Sequence, residues 1–137
     1  MTSFTEHPFF GLLGSLHLPP EDFAIAGSGP LFARGWIAEI GDLDVIARGQ
    51  AWLRICQRGE VGQAPLASVH RVLLFDGKIE VLDGWFPASW DVDTLIDEAD
   101  LISGLRFVKL EVVAETKKML QRPQDIQHLG RIAVNLP

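Results

Sequence analysis

Short apolar runs separated by glycine, proline and acidic turns alternate along the chain between a helical period and a strand period. Residues 7–14 (HPFFGLLG) are almost wholly apolar and predict a short helix that packs on the body. Pro19 and Pro20 stop any helix there and deliver the chain to a short strand at residues 23–26 (FAIA). Gly27-Ser28-Gly29 follows at once, and Pro30 opens a helix through Ala33 that Gly35 ends. Residues 36–40 lead into a second strand at 43–47, and residues 49–58 read as a helix with Trp52, Ile55 and Cys56 on one face. After a loop of turn formers at 59–65, strands are predicted at 69–75 and 78–82. Asp76-Gly77 between them is a two-residue hairpin signal, because both turn positions need positive φ.

Asp83-Gly84 makes the next turn, into Trp85-Phe86-Pro87. Residues 91–99 predict a helix with acid at its start, and residues 102–108 an extended segment carrying Gly104. Residues 110–121 give the clearest helix, which Pro123 breaks, and a last helix runs from about 124 to 134. No repeat, linker or low-complexity tract interrupts the sequence, so one domain over residues 1–137 is expected. Strands interleaved with helices, with one hairpin mid-chain, predict an α/β or α+β domain built on a mixed sheet.

The 137 residues carry 12 Lys+Arg and 18 Asp+Glu, a formal charge of −6, with 47% hydrophobic and 22% charged residues. This is ordinary globular composition, and a chain this long buries enough surface to need no staples. The single cysteine, Cys56, excludes an internal disulfide and a cysteine-rich zinc module. It lies on an apolar helix face and reads as an inert buried thiol. No apolar run approaches the ~18 residues of a membrane span. The first residues lack the basic-then-apolar order of a signal peptide, so a cytoplasmic protein without a membrane partner is expected. The acidic balance disfavours long nucleic acids, which need clustered Lys and Arg.

Candidate chemistry concentrates at Gly27-Ser28 and at Asp42-Leu43-Asp44. A strand that ends in glycines and turns into a helix exposes backbone N–H groups suited to phosphate, and Ser28 can cap the helix or donate its hydroxyl to a phosphate oxygen. Asp42 and Asp44 sit two apart at the head of a strand, so alternation places both on one face, roughly 6.5 Å apart. Carboxylates at that spacing repel unless a cation lies between them, and they suit Mg²⁺, which takes one or two carboxylates plus substrate phosphates. Glu80 is the candidate third acid, because Ile79 and Val81 on either side claim the core face. Asp83 competes with it, but Asp83-Gly84 is a turn.

The string IAGSGPLFARG…GDLDVIA resembles the polymerase-β-like nucleotidyltransferase superfamily, in which Gly-Ser opens a helix, Asp-x-Asp lies on the next strand and a third acid on a later one. The C-terminal string LRFVKLEVVAETKKMLQRPQDIQHL looks like a small bacterial branch of that superfamily. There a helix ending in a basic residue runs into Arg-Pro-Lys-Asp and a last helix; the positions here are Lys118, Arg122, Pro123, Gln124 and Asp125. The branch is related to nucleotidyltransferases of abortive-infection and toxin–antitoxin systems. The resemblance covers about residues 22–132, and Gln124 and Glu80 depart from its commoner lysine and aspartate. It implies a sheet of about four to five strands flanked by helices.

It also implies catalytic and Mg²⁺-ligating (or Mn²⁺-ligating) roles for Asp42, Asp44 and Glu80. Gly27, Ser28, Lys118 and Arg122 would bind the nucleotide. The implied reaction moves a nucleoside monophosphate from a nucleoside triphosphate to a hydroxyl acceptor. The alternative is an inactive module of the same fold that binds a nucleotide or a protein partner. A third alternative is a homodimer whose second subunit completes the cleft, with exposed apolar residues of HPFFGLL, residues 7–13, as the contact.

Elsewhere the residues have structural readings. Asp91, Asp93, Asp97, Glu98 and Asp100 suit a helix start rather than a metal. Asp125 is expected to cap the last helix or pair with Arg122. The four histidines show no ligand spacing. Trp85 and Trp90 follow Glu80 and are candidates for stacking on a base.

Overall fold

In the computed structural model, which describes residues 3–65, 68–86 and 89–136, alternation along the strands decides the architecture. The strands are β1 (Phe23–Ala26), β2 (Leu43–Ala47), β3 (Gly62–Gln63), β4 (His70–Leu74), β5 (Ile79–Leu82), β6 (Asp100–Ile102) and β7 (Leu105–Phe107). Among the described residues they form one seven-stranded sheet in the order β3-β4-β5-β2-β1-β7-β6. β2 is parallel to β5 and β1 to β7, while the other neighbours are antiparallel.

The mixed α and β character follows the sequence pattern, but the sheet exceeds the expected four to five strands, and the surplus lies at its edges. Gly62–Gln63 is a two-residue strand inside the loop of turn formers. The 102–108 segment is not one extended piece. It turns at Ser103 and Gly104, whose φ values are 51° and 80°, and returns as the second strand of a hairpin.

Period two sorts the side chains between two helical layers. Ile25, Leu43, Val45, Ile79 and Val81 face α1 (Pro8–Gly14) and α3 (Gly49–Cys56), packing with Phe10, Leu13, Ala51 and Ile55. Ala24, Ile46 and Leu82 face α2 (Gly29–Ala33), α4 (Val92–Asp97), α5 (Leu110–Leu120) and α6 (Pro123–Asn135). Leu31, Ile96, Val113 and Ile132 fill that side. Each fully buried aliphatic side chain contributes roughly 1.5–3 kcal/mol.

The β4–β5 connection keeps the expected register, Leu74 opposite Ile79, but its ladder stops one pair early. Phe75, Asp76 and Gly77 all take positive φ (55°, 57° and 83°). The Lys78 N–H bonds the Phe75 carbonyl at 3.2 Å, closing the expected Asp76-Gly77 turn, and the Gly77 N–H bonds the Leu74 carbonyl, so that Phe75 leaves the ladder. Pro87 of the Trp85-Phe86-Pro87 segment lies outside the described residues.

Four of the acids of residues 91–100, Asp91, Asp93, Asp97 and Asp100, have structural partners. Asp91 caps α4 by accepting from the Thr94 N–H at 3.1 Å. Asp93 and Asp97 grip Arg48 at 2.9 and 2.7 Å, which ties the start of α3 to α4. Asp100 meets Arg34 at 3.0 Å. The 7–14 segment likewise spends its apolar face at home: Phe10 packs edge-on against Phe4 at 5.0 Å and near Phe107 at 6.4 Å. Phe10 and Leu13 are therefore core residues, and Phe9 and Leu12 stay partly exposed. Among the described residues no helix is long and apolar enough to cross a membrane.

Truncating Phe10 tests this anchoring of α1. Phe10→Ala is expected to cost roughly 3–5 kcal/mol, the range for a buried phenylalanine. A urea titration should show the lowered midpoint with an unchanged cooperativity slope.

Candidate functional site

The site begins where β1 ends. Gly27 turns the chain at φ 62°, and a Cβ there would meet the Asp44 carboxylate oxygen at 2.3 Å. Both conformation and space therefore require glycine. Antiparallel pairing sets Ala26 opposite Asp44, and parallel pairing sets Asp44 opposite Glu80. Asp42 lies two residues before Asp44, just ahead of β2. The alternation that buries Leu43, Val45, Ile79 and Val81 sends these acids to the other face.

There they line a cavity of about 760 Å³ together with Gly27 and Ser28. Helices α5 and α6 contribute Lys117, Arg122, Gln124 and His128 to its wall, while Leu82, Trp85, Phe86, Val113 and Leu120 supply an apolar surface. Gly27, Ser28, Asp42, Asp44, Glu80 and Arg122, all selected from sequence, thus meet in one place.

Lys118 does not join them. Its ammonium points to Glu115 at 3.4 Å on the exposed side of α5. The residue before it does: Lys117 is 2% exposed and donates to the Ser28 hydroxyl at 3.0 Å and to Asp125 at 3.3 Å. The signal was present in the helical period, since Val113, Thr116, Lys117 and Leu120 share a face at three- and four-residue spacing and Lys118 falls outside it.

His128, also unforeseen, places Nδ1 3.3 Å from the Ser28 hydroxyl. Ser28 makes no side-chain cap on α2 and gives its hydroxyl to this cluster instead. Because α2 has only five residues, the positive charge beside Ser28 is that of the Lys117 and Arg122 side chains more than of a helix dipole.

Asp125 organises the cations. It is fully buried, accepts the Arg122 backbone N–H at 3.0 Å and the Arg122 Nε at 2.7 Å, and so caps α6 while holding both cations. Burial opposes its ionisation, but the hydrogen bonds from Arg122 and Lys117 outweigh that and keep its carboxyl below the usual range. Arg122 is raised further by its bond to Asp125. Burial lowers the Lys117 ammonium, against the pull of Asp125, and lowers His128, which also feels the Lys117 charge.

Asp42 and Asp44 shift the opposite way. Burial raises Asp42, and the charge of Glu80 adds to it. Burial, Asp42 and Glu80 together push Asp44 up to about 8. Arg122 is the cation whose charge reaches both, and neither is in an ion pair among the described residues.

Glu80 is engaged differently: Arg71 of β4 donates to it at 2.7 Å. Among the described residues no group of three or more His, Cys, Asp or Glu side chains stands ready to hold a metal. The residues that could hold a hard cation are Asp42 and Asp44, and two carboxylates need ligand oxygens to complete such an ion's shell. Of the two tryptophans considered for stacking, Trp85 is at the cavity but is buried, with its indole N–H bonded to Thr116 at 3.1 Å. Trp90 lines a separate, smaller cavity. Comparison with protein-family models, curated proteins and solved structures yields no match.

Two measurements follow from this geometry. Lys117→Met, which leaves Asp125 buried with one partner fewer, is expected to cost roughly 3–5 kcal/mol. Lys118→Met should stay within about 0.5 kcal/mol. Thermal or urea unfolding of the pair separates the two lysines.

The second concerns pH. An unfolded aspartate ionises near pH 4, whereas folded Asp44 holds its proton to about 8. Between those values the unfolded chain binds fewer protons, so the metal-free protein loses stability as pH rises and levels off above the folded value. Asp44→Asn should flatten that slope and exceed the parent's stability at neutral pH in chelator, read from urea midpoints across the range.

Proposed function

We propose that the chain is a small metal-dependent nucleotidyltransferase that moves a nucleoside monophosphate from a nucleoside triphosphate to a hydroxyl. The observation that carries this reading is the separation of sign within one cavity. Asp42, Asp44 and Glu80 come from the sheet wall, and Lys117 and Arg122 come from α5 and the start of α6. A triphosphate with a divalent cation has the complementary pattern. The sequence resemblance to polymerase-β-like nucleotidyltransferases supports the same reading on Gly27, Ser28 and the Asp-x-Asp pair.

The residues divide the work. Asp42 and Asp44 are the carboxylates that would hold Mg²⁺ or Mn²⁺, and the ion, when bound, neutralises phosphate charge and acidifies a bound hydroxyl. Lys117 and Arg122 meet the phosphate oxygens as charges, and the Ser28 hydroxyl donates beside them. The acceptor oxygen forms a bond to the α-phosphorus as the bridging bond to the β-phosphate breaks. Pyrophosphate departs with that electron pair. A carboxylate of the acid wall takes the hydroxyl proton. The half-buried ring of Phe86 and the apolar surface of Leu82, Val113 and Leu120 offer the base a dry wall.

A second reading rests on the Arg71–Glu80 pair, which occupies the third acid. It is a module of the same fold that binds a nucleotide or a protein partner without transfer, in a toxin–antitoxin or defence pair.

Calorimetric titration with each nucleoside triphosphate, with and without Mg²⁺, tests the proposal. Magnesium-dependent binding of one triphosphate is expected, lost by at least about 100-fold in Asp42→Ala/Asp44→Ala, which removes two charge-assisted ligands. Absence of binding in the folded parent chain overturns it. Binding without turnover of labelled nucleotide on any acceptor selects the second reading.

A further inference from the structure

The strand register brings a cation to the acid wall from the neighbouring strand β4. Glu80 has Asp44 as its neighbour on β2 and Leu73 as its neighbour on β4. Arg71, two residues from Leu73, is the diagonal neighbour on the same face and within reach of a long side chain. Its Nη1 lies 2.7 Å from the Glu80 Oε2, with the two side chains 32% and 18% exposed. Glu80 lines the cavity and Arg71 does not. The guanidinium therefore reaches the third carboxylate laterally, from β4 on the same face of the sheet, and is not itself among the residues lining the cavity.

We infer that Arg71 is a built-in counter-charge for Glu80, so that the site takes one divalent ion, on Asp42 and Asp44, where three free carboxylates would take two. This rests on the metal-dependent reading given above. Two-ion sites hold their ions about 3.5–4 Å apart on shared carboxylates. A second ion between Asp44 and Glu80 has to displace a 2.7 Å ion pair and then sit beside the displaced guanidinium. Arginine cannot shed its charge to relieve that contact. Arg71 is thus a positioning residue: it acts on the metal count through Glu80 and touches no substrate.

The experiment counts ions. Mn²⁺ alone is titrated into the full chain, and bound and free ion are separated by electron paramagnetic resonance. The parent chain is expected to bind one Mn²⁺. Arg71→Gln should bind two, or bind a second at least about tenfold more tightly than the parent does. Arg71→Lys, which restores the charge, should return to one, and Arg71→Gln/Glu80→Gln should also bind one. Should Arg71→Gln fail to fold, Arg71→Met serves as the charge-free variant. Two tight ions in the parent, or one in every variant, overturns the role of Arg71 and leaves the metal reading standing. No bound Mn²⁺ in the folded parent at millimolar ion overturns the metal reading itself.

Discussion

Asp44 and Glu80 stand side by side on adjacent parallel strands, and the cleft is arranged around the repulsion that arises when both are ionised. Neither strand can move to relieve it. β2 and β5 lie in the middle of the sheet, and Leu43, Val45, Ile79 and Val81, the residues flanking the acids, are wholly buried. The acids are thereby fixed at a spacing set by sheet geometry, with the hydrophobic effect supplying the force that holds them. What the fold can vary is the surroundings: Gly27 leaves room for the Asp44 carboxylate, Arg71 neutralises Glu80, and Arg122 reaches Asp42 and Asp44 from α6.

The same constraint explains which parts of the site were legible in the sequence. Strand alternation is a local rule, so Glu80 between Ile79 and Val81 could be assigned to the non-core face from three residues, and Asp42 and Asp44 likewise. Gly27 and Ser28 were legible because a glycine pair between an apolar run and a proline has few other uses. Asp125 was legible as a cap and an Arg122 partner for the same local reason, three residues apart at a helix start.

The partners that cross the chain were not legible. Arg71 meets Glu80 through a hairpin register, and Ser28 meets Lys117 and His128 across about a hundred residues or slightly less, at |i−j| of 89 and 100. Lys117 and Lys118 differ only in helical phase. The resemblance pointed to a basic residue near the end of α5; the apolar stripe through Val113 decides which one. Edge strands β3 and β6 escaped because two- and three-residue pairings carry no periodic signal. Gly62–Gln63 is exposed on both residues, so no buried face marks it as a strand.

Burial at the two walls of the cleft has opposite consequences. On the helical wall, Asp125 offers hydrogen bonds that satisfy Lys117 and Arg122, so the cations are held by a buried carboxylate and the wall keeps its shape without a ligand. On the sheet wall, Asp42 and Asp44 have no such partner, and burial raises their proton affinity instead. One wall is preorganised and the other is electrostatically strained. A cation that binds the strained wall must displace the proton held there, and gains the repulsion thereby relieved. A polyanion that binds the preorganised wall finds its charges already in place. A ligand carrying both signs, such as a metal–triphosphate, satisfies the two walls at once. Either half alone leaves one of them uncompensated, which is the electrostatic argument for the proposed ligand.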